Sequence, residues 1–407
     1  MQMYLLALNP TDSVTEGFLP AARRLGLTVT VLTDQPDAHR AVAAAGDEDV
    51  EVARCAVRDV RAVVSRISAG RRPGAVFSNS DHLQVQAALA ADYFGLPGKD
   101  WRAALRTKDK AEMRRRLAAA GLPPGTTVRA AELPAEQDLS DALDRPQVRE
   151  VPFPCVVKPR EGVASEDVVL VADPAELAAR CREIRARRPH DALVVEEFVS
   201  GRLHTLETLG DGRARRVLGG FRTRLSPPPY FIEERLTWEP DLARPLVDQV
   251  LVQLDALGVG FGACHTEFVV DGDRARLVEV NYRAIGDQCD LLLAELLGVP
   301  LFDLVLRVHL GEPLPPGPWP APDAAACLVY PYARTAGVLT AAPGPEDVEV
   351  DGVRLAYRPL REIGSRRPVH HTNRDLLGVV RAIGPDPARV GRAADAYVAS
   401  RTWEITP

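Results

Sequence analysis

No Cys-x-x-Cys pair occurs in this chain, and its six cysteines (Cys55, Cys155, Cys181, Cys264, Cys289 and Cys327) are scattered. That spacing argues against a zinc site and a disulfide framework, and reads as reduced thiols in a cytoplasmic protein. No apolar run reaches the length that spans a bilayer. The opening run Met1–Leu8 is short, lacks a basic leader and stops at Asn9-Pro10, so it reads as a first strand and not as a signal peptide. No Gly-x-Gly-x-x-Gly follows it, which leaves a nicotinamide oxidoreductase without its phosphate fingerprint. Positive charge is not in excess either. The net charge is −6 and arginine is interleaved with Asp and Glu, which argues against nucleic acid as the main partner. Internal repeats and low-complexity tails are also missing. What is present is a globular composition, 46% hydrophobic and 26% charged, in 407 residues, enough for two or three domains and a sizeable core.

Residues 1–100 alternate between strand and helix signals. Tyr4–Leu8, Thr28–Leu32 and Gly74–Phe77 read as strands; Thr15–Leu25, Asp59–Ala69 and a segment ending at Phe94 read as helices. Such alternation implies a parallel sheet. Asn79–Asp81 then falls at a strand C-terminus, where open α/β sheets bind ligands, although a helix N-cap is the plainer role for Ser80 or Asp81. Residues 101–311 change character. A helix over Thr107–Ala120 is followed by short strands at Cys155–Lys158, Val168–Val171 and Leu193–Glu197, with a helix at Pro174–Arg187 and a hairpin turn at Gly210-Asp-Gly212. Helices are expected at Asp241–Leu257, Asp290–Leu297 and Leu301–Leu310. Residues 312–407 open on a Pro-rich linker, Glu312–Pro322. Strands at Cys327–Tyr332, Val348–Val350 and Arg354–Tyr357 follow, with helices at Asp375–Ile383 and Pro387–Ser400. The chain thus divides into an α/β domain (1–100), an α+β core (101–311) and a small C-terminal domain (312–407).

The most informative stretch runs from Cys264 to Arg283, two β-rich runs flanking Asp271-Gly272-Asp273. It carries oxygen donors at Glu267, Glu279 and Asn281, the ligand type Mg²⁺ takes when it also holds phosphates. A two-residue loop would put Glu267 and Glu279 on opposite faces, because side chains alternate along a strand. A three-residue loop instead pairs Glu267 with Leu277. His265, Glu267, Glu279 and Asn281 then share one face, and Phe268, Val270, Val278 and Val280 the other, so that register is the expected one. An ordinary solvated hairpin is the competing reading.

Elsewhere Lys158 ends an apolar strand and precedes a small-residue loop through Gly162 and Ser165, a combination that can hold phosphates. Lys110 sits early in a helix, where a cation opposes the helix dipole unless an anion offsets it. Glu196 and Glu197 close an apolar run. Each has a bland alternative: a snorkelling lysine, a tolerated surface lysine, a solvated Glu pair.

Taken in order, these segments resemble the ATP-grasp superfamily and its carboxylate–amine ligases, such as D-alanine–D-alanine ligase and the L-amino-acid ligases. The order is Asp109-Lys110, Phe153-Pro-x-Val-Val-Lys158-Pro, Gly162-x-x-Ser165, Val195-Glu196-Glu197-Phe-Val199-x-Gly201, Glu267-Phe and Glu279-Val-Asn281-x-Arg283. The resemblance covers roughly residues 1–310. It implies a Rossmann-like N-terminal domain, a two-subdomain ATP-binding core and a small β-containing closing domain. It also implies ATP with Mg²⁺ (or Mn²⁺) held by Glu267, Glu279 and Asn281. Lys110, Lys158 and the loop Gly162–Ser165 would hold the phosphates. Glu196 would accept the adenine amino group, with Glu197 and Val199 beside it, and His204 or Glu207 would lie near the ribose. Arg283 would steady the transferred phosphoryl group. Asn79, His265 and Asp287 are expected at the substrate, although a structural role for His265 is equally open.

Two departures stand out. The loop carries Asp167 where a glycine is usual, and Asn-Pro-Arg-x-Gly-Gly becomes Asn281-Tyr-Arg-Ala-Ile-Gly286-Asp287. The expected activity is ATP-dependent activation of a small carboxylate, an amino acid or polycarboxylate, as an acyl phosphate that is coupled to an amine. Biosynthesis of a dipeptide, peptide-like natural product or siderophore would use it. Amino-acid loading onto a carrier-protein thiol and a non-catalytic nucleotide-binding regulator are the alternatives. Family habit points to a homodimer, and no nucleic acid or membrane partner is expected.

Overall fold

A computed structural model describes residues 1–45, 50–317 and 323–407. Residues 318–322 of the expected linker lie outside the described residues. The N-terminal region is a parallel four-stranded sheet in the order Glu51–Arg54, Thr28–Thr33, Gln2–Leu6, Pro73–Phe77. Strand Glu51–Arg54 and helix Pro36–Ala45 are not among the sequence-predicted elements. The edge strand is short, with one buried residue in four, so it carries little periodic signal. Among the described residues no helix is long and apolar enough to cross a membrane.

The predicted helix over Thr107–Ala120 is two helices, Trp101–Lys108 and Lys110–Ala119. Asp109 breaks it. Its backbone is extended, and its carboxylate accepts from the Glu112 N–H at 3.0 Å, an N-cap that starts the second helix. Lys110 therefore occupies the first turn of its own helix.

A second sheet, antiparallel, orders Ala130–Leu133, Leu193–Glu197, Cys155–Pro159 and Val169–Val171. Strand alternation sorts its residues. Cys155, Val157, Leu193 and Val195 pack with Leu177, Cys181 and Ile184 of helix Pro174–Arg187. Val156, Lys158 and Glu196 face the other way, into a cleft. Opposite stands a ten-stranded sheet whose central path runs Arg274–Asn281, Phe261–Asp271, Arg202–Asp211, Phe221–Leu225, Glu233–Trp238. It does not stop at the expected domain boundary. Ala325–Val329 pairs with Glu233–Trp238, and Gly378–Gly384, Val353–Pro359 and Glu346–Val350 extend the same sheet. Residues 378–383, read from sequence inside a helix, belong to the strand Gly378–Gly384; Val379, Val380 and Ala382 are buried between neighbours, and a strand buried on both faces has no alternating pattern to betray it.

Candidate active site

The hairpin's register differs from the expected one. Asp271 pairs with Arg274 and Phe268 with Leu277, so the loop has two residues, and Glu267 does not pair with Leu277. A β-bulge at Val278 then adds one residue, and beyond it Glu267 pairs with Glu279 and His265 with Asn281. The bulge achieves what the longer loop was expected to do. It also corrects the placement of Val278, which lines the cleft with Val269, whereas Phe268, Ala275, Leu277 and Val280 enter the core beneath.

Arg114 secures the bulge. Its guanidinium donates to the carbonyls of Leu277 at 2.6 Å and Val278 at 3.1 Å, and it grips Glu196 through two parallel bonds of 2.9 Å. Lys158 Nζ lies 2.7 Å from the same carboxylate. All three side chains are buried. Burial alone would raise the Glu196 pKa, but Arg114 and Lys158 outweigh it and hold the carboxyl down at about 2. Burial lowers the Lys158 pKa, and Glu196 offsets part of that. Both Glu196 oxygens are therefore engaged within the protein. Glu197, Phe198 and Val199 border the cleft beside them, with Glu197 Oε1 receiving the Arg129 N–H at 3.1 Å.

Two cavities meet at the hairpin. The first, about 280 Å³, lies between the two sheets, with apolar walls from Val156, Leu203, Leu225, Val269 and Val278 and with Lys110 and Lys158 at its polar side. The second, about 630 Å³, is polar and reaches the strand ends of the N-terminal sheet at Asn9, Asn79 and Asp81. Val163, Ser165, Glu233, Glu267 and Glu279 line both. Lys110 Nζ sits 3.2 Å from Glu279 and 3.4 Å from the Gly162 carbonyl; burial opposes its charge, but Glu279 prevails and raises the pKa.

In the larger cavity His265 Nδ1 is 2.7 Å from Glu207, and Nε2 is 3.5 Å from Glu267. Burial disfavours the charged ring, yet Glu207 and Glu267 keep it protonated, with a pKa raised to about 10. Glu233 is pushed up to about 7 by burial and by the carboxylates of Glu267 and Asp287. Arg283 and Asp287 line the same chamber. Asn79 Oδ1 accepts the Ala284 N–H at 3.1 Å, so it anchors the loop that carries them.

A family model for the ATP-grasp domain matches residues 151–291. Among solved structures, an L-amino acid ligase from Bacillus licheniformis superposes with a TM-score of 0.80 over 100% of this chain and 99% of its own, at 21% identity. The chain has the ATP-grasp fold. Phosphoribosylglycinamide synthetase from Anaerococcus prevotii shares it, with a TM-score of 0.72 over 100% of both chains at 15% identity. So does the biotin carboxylase domain of the Hydrogenobacter thermophilus 2-oxoglutarate carboxylase, solved as a dimer with MgADP (TM-score 0.67, 16% identity, 99% of this chain and 90% of that one). An uncharacterized protein of Sinorhizobium fredii, y4rH, is 30% identical over 324 residues, 77% of this chain; the match spans 64% of that relative.

Within this ATP-grasp frame two of the expected nucleotide residues sit elsewhere. His204 lies on the far face of strand Arg202–Asp211, stacked on Phe268 with centroids 5.9 Å apart and 3.4 Å from Glu239. Leu203, its neighbour, faces the cleft instead. Glu207 has the cleft-side parity but is buried against His265 and does not border the 280 Å³ cavity. A strand period of two forbids residues 204 and 207 from sharing a face.

Both sequence departures occupy left-handed backbone. Asp167 has φ +54 and Asp287 φ +53, conformations that favour glycine. Asp167 is tied to Arg187 at 2.5 Å and Arg188 at 2.6 Å. Two residues escaped the sequence reading. Arg114 had a signal, because Lys110, Met113, Arg114 and Leu117 follow the i, i+3, i+4, i+7 spacing of a buried helix face, and all four are buried. Glu233 had none, since nothing local separates it from Glu234.

The residues fit a divalent cation. Asn281 is buried and lines the larger cavity beside Glu267 and Glu279. Glu267 and Asp287 crowd Glu233, so carboxylates lie close together beside the paired oxygen donors. Among the described residues no cluster of three His, Cys, Asp or Glu side chains forms a complete cage. Two carboxylates and one amide suit an ion that fills its shell with water and phosphate oxygens, as Mg²⁺ does.

Proposed function

We propose that this chain is an ATP-dependent ligase that activates an amino acid at its carboxylate and joins it to an amine. The observation that carries this reading is the junction of the two cavities: an apolar cleft with phosphate-side lysines opens, at paired oxygen donors, into a chamber with both charge signs. The smaller cavity suits adenine between aliphatic walls. In the larger one, Arg283 is the cation for the substrate carboxylate. Glu233 and Asp287 are acceptors for an ammonium group, which favours an amino acid over a polycarboxylate.

Glu267, Glu279 and Asn281 would hold Mg²⁺, which when bound neutralises triphosphate charge. Lys110 and Lys158 add fixed positive charge on the nucleotide side. Arg283 orients the acid so that a carboxylate oxygen can attack the γ-phosphorus. The new O–P bond forms as the bond to the β,γ-bridging oxygen breaks, and ADP leaves. The acyl phosphate is then attacked at its carbonyl carbon by the amine nitrogen, which gives up a proton as phosphate departs. Closure of the loop Gly162–Asp167 would keep water away from that intermediate.

The test is ADP and amide formation with MgATP and pooled L-amino acids. The wild type should release ADP only with a matching acid and amine. Glu279→Gln should lower turnover by at least about a hundredfold, on the scale of losing one preorganised electrostatic group. Unchanged turnover in that variant would refute the metal assignment, and a thioester on an added carrier protein in place of an amide would redirect the acceptor.

A further inference from the structure

Asn373, far along the chain from the hairpin, touches two parts of the site at once. Its Nδ2 donates to Glu233 Oε1 at 2.9 Å, and its Oδ1 accepts the Glu233 N–H at 3.0 Å. Its own N–H donates to the Ala164 carbonyl at 3.0 Å. The next residue, Arg374, donates from Nε to Glu166 at 2.7 Å. One turn of the C-terminal region therefore holds both the phosphate-side loop and the carboxylate shared by the two cavities.

That turn is built to be stiff. The Thr372 hydroxyl accepts the Arg374 N–H at 3.1 Å, and Asp375 accepts the N–H groups of His370 at 3.0 Å and Thr372 at 3.3 Å. His371 stacks flat on Tyr230, centroids 4.3 Å apart and 4° from parallel. The loop it grips is the opposite. Ala164, Ser165 and Asp167 have φ of +57, +56 and +54, and none is glycine. Left-handed backbone is unfavourable for an L residue, so such a loop keeps this shape only while outside contacts hold it.

We propose that Asn373 is a positioning residue that couples closure of the loop Gly162–Asp167 to the aim of the Glu233 carboxylate. Docking of the Ala164 carbonyl on the Asn373 N–H makes the loop and this rigid turn one unit, and the Asn373 amide on that unit orients Glu233 toward the acid chamber. Nucleotide, which closes the loop, thereby readies the site for the acid. This rests on the ligase reading for what Glu233 binds, but the mechanical link stands on the hydrogen bonds alone.

Hydrogen exchange of the full chain, with and without the non-hydrolysable analogue Mg·AMP-PNP, reads that link without any acid. In the wild type the nucleotide should slow exchange at least about fivefold in both 162–168 and 229–235. In Asn373→Ala, which loses both bonds to Glu233, protection should persist in 162–168 and vanish in 229–235, whereas Asn373→Asp, which keeps the acceptor for the Glu233 N–H and loses only the Nδ2 donor, should keep both and still raise the amino-acid KM. Nucleotide Kd within threefold of wild type would show that the variants fold. Arg374→Ala should weaken the nucleotide yet keep the two segments coupled. In turnover, Asn373→Ala should raise the amino-acid KM about tenfold with the ATP KM nearly constant. Protection of 229–235 retained in Asn373→Ala, or missing from the wild type, would overturn the proposal. Wild-type coupling without any ADP release would instead sink the ligase reading and leave the link in place.

Discussion

Asp287 offers a way to separate backbone strain from side-chain chemistry at one position. Its φ of +53 is enforced from several sides: Tyr330 Oη donates to its carbonyl at 3.1 Å, the Cys289 N–H reaches the Gly286 carbonyl at 3.0 Å, and Gln288 bonds Asp12. An alanine held there would pay the left-handed penalty in full, whereas aspartate sits at the low end because its short polar side chain tolerates the region. Asp287→Ala should therefore lower stability by about 1 kcal/mol. Asp287→Gly relieves the strain but gives the unfolded chain about 0.4–1 kcal/mol of extra entropy, so its stability should stay within about 0.5 kcal/mol of wild type. Both variants lose the same carboxylate. If that carboxylate accepts a charged hydrogen bond from the substrate ammonium, about 1.5–3 kcal/mol disappears, and KM for the amino acid rises at least about tenfold in both. Urea denaturation and an ADP-release assay give the two numbers. Equal stability of the Ala and Gly variants would refute the strain account; an unchanged KM in both would refute the role of the carboxylate.

Glu196 predicts a pH effect. Its folded pKa of about 2 lies below the ordinary glutamate value of 4.5, so its stabilisation is complete above pH 4.5 and drains away as pH falls toward 2. The window corresponds to about 3 kcal/mol, and Glu196→Gln should be destabilised by a similar amount at pH 7, because Arg114 and Lys158 are left buried without a counter-charge. Urea titrations at pH 2–5 should show a shallower acid slope in the variant, and parallel slopes would contradict the assignment. His204→Gln tests the strand parity: ATP KM should change less than about twofold, with roughly 1 kcal/mol lost from packing on Phe268. A tenfold rise in ATP KM would return His204 to the nucleotide.

The sequence exposed the parts of this molecule whose physics is local. Helix Pro174–Arg187 begins at an Asp173 cap with Pro next, and its limits match the expected ones. The Gly212 turn, with φ +84, joins strand Arg202–Asp211 to Arg215–Gly219 as its Gly-Asp-Gly motif suggests. What stayed hidden depends on partners far along the chain. The bulge at Val278 is stabilised by Arg114, more than 160 residues earlier, so nothing between Cys264 and Arg283 announces it. Glu233 differs from Glu234 only in which cavity or neighbour it meets after the sheet forms. The strand Gly378–Gly384 is buried by Ala325–Val329 on one side and Val353–Pro359 on the other, and its apolar run alone could as well have been helical.

The same long-range dependence explains why the site tolerates so many buried charges. Arg114 would be a liability on a buried helix face if it met apolar groups alone. It instead receives a carboxylate from one sheet and two carbonyls at the bulge of the other, so each guanidinium nitrogen has an oxygen partner and the partners come from two separate elements. Lys158 shares that carboxylate, and Lys110 borders Glu279, the residue that follows the bulge. Removing Glu196 leaves Arg114 and Lys158 without their shared counter-charge in low dielectric, which costs more than the pairing itself contributes. The network therefore adds little to stability as a whole, yet it penalises each arrangement in which the two sheets drift apart. Under the proposed ligase function, a fixed spacing between Lys110, Lys158 and the oxygen donors is what phosphoryl transfer would use, because positioning and electrostatic stabilisation carry that reaction.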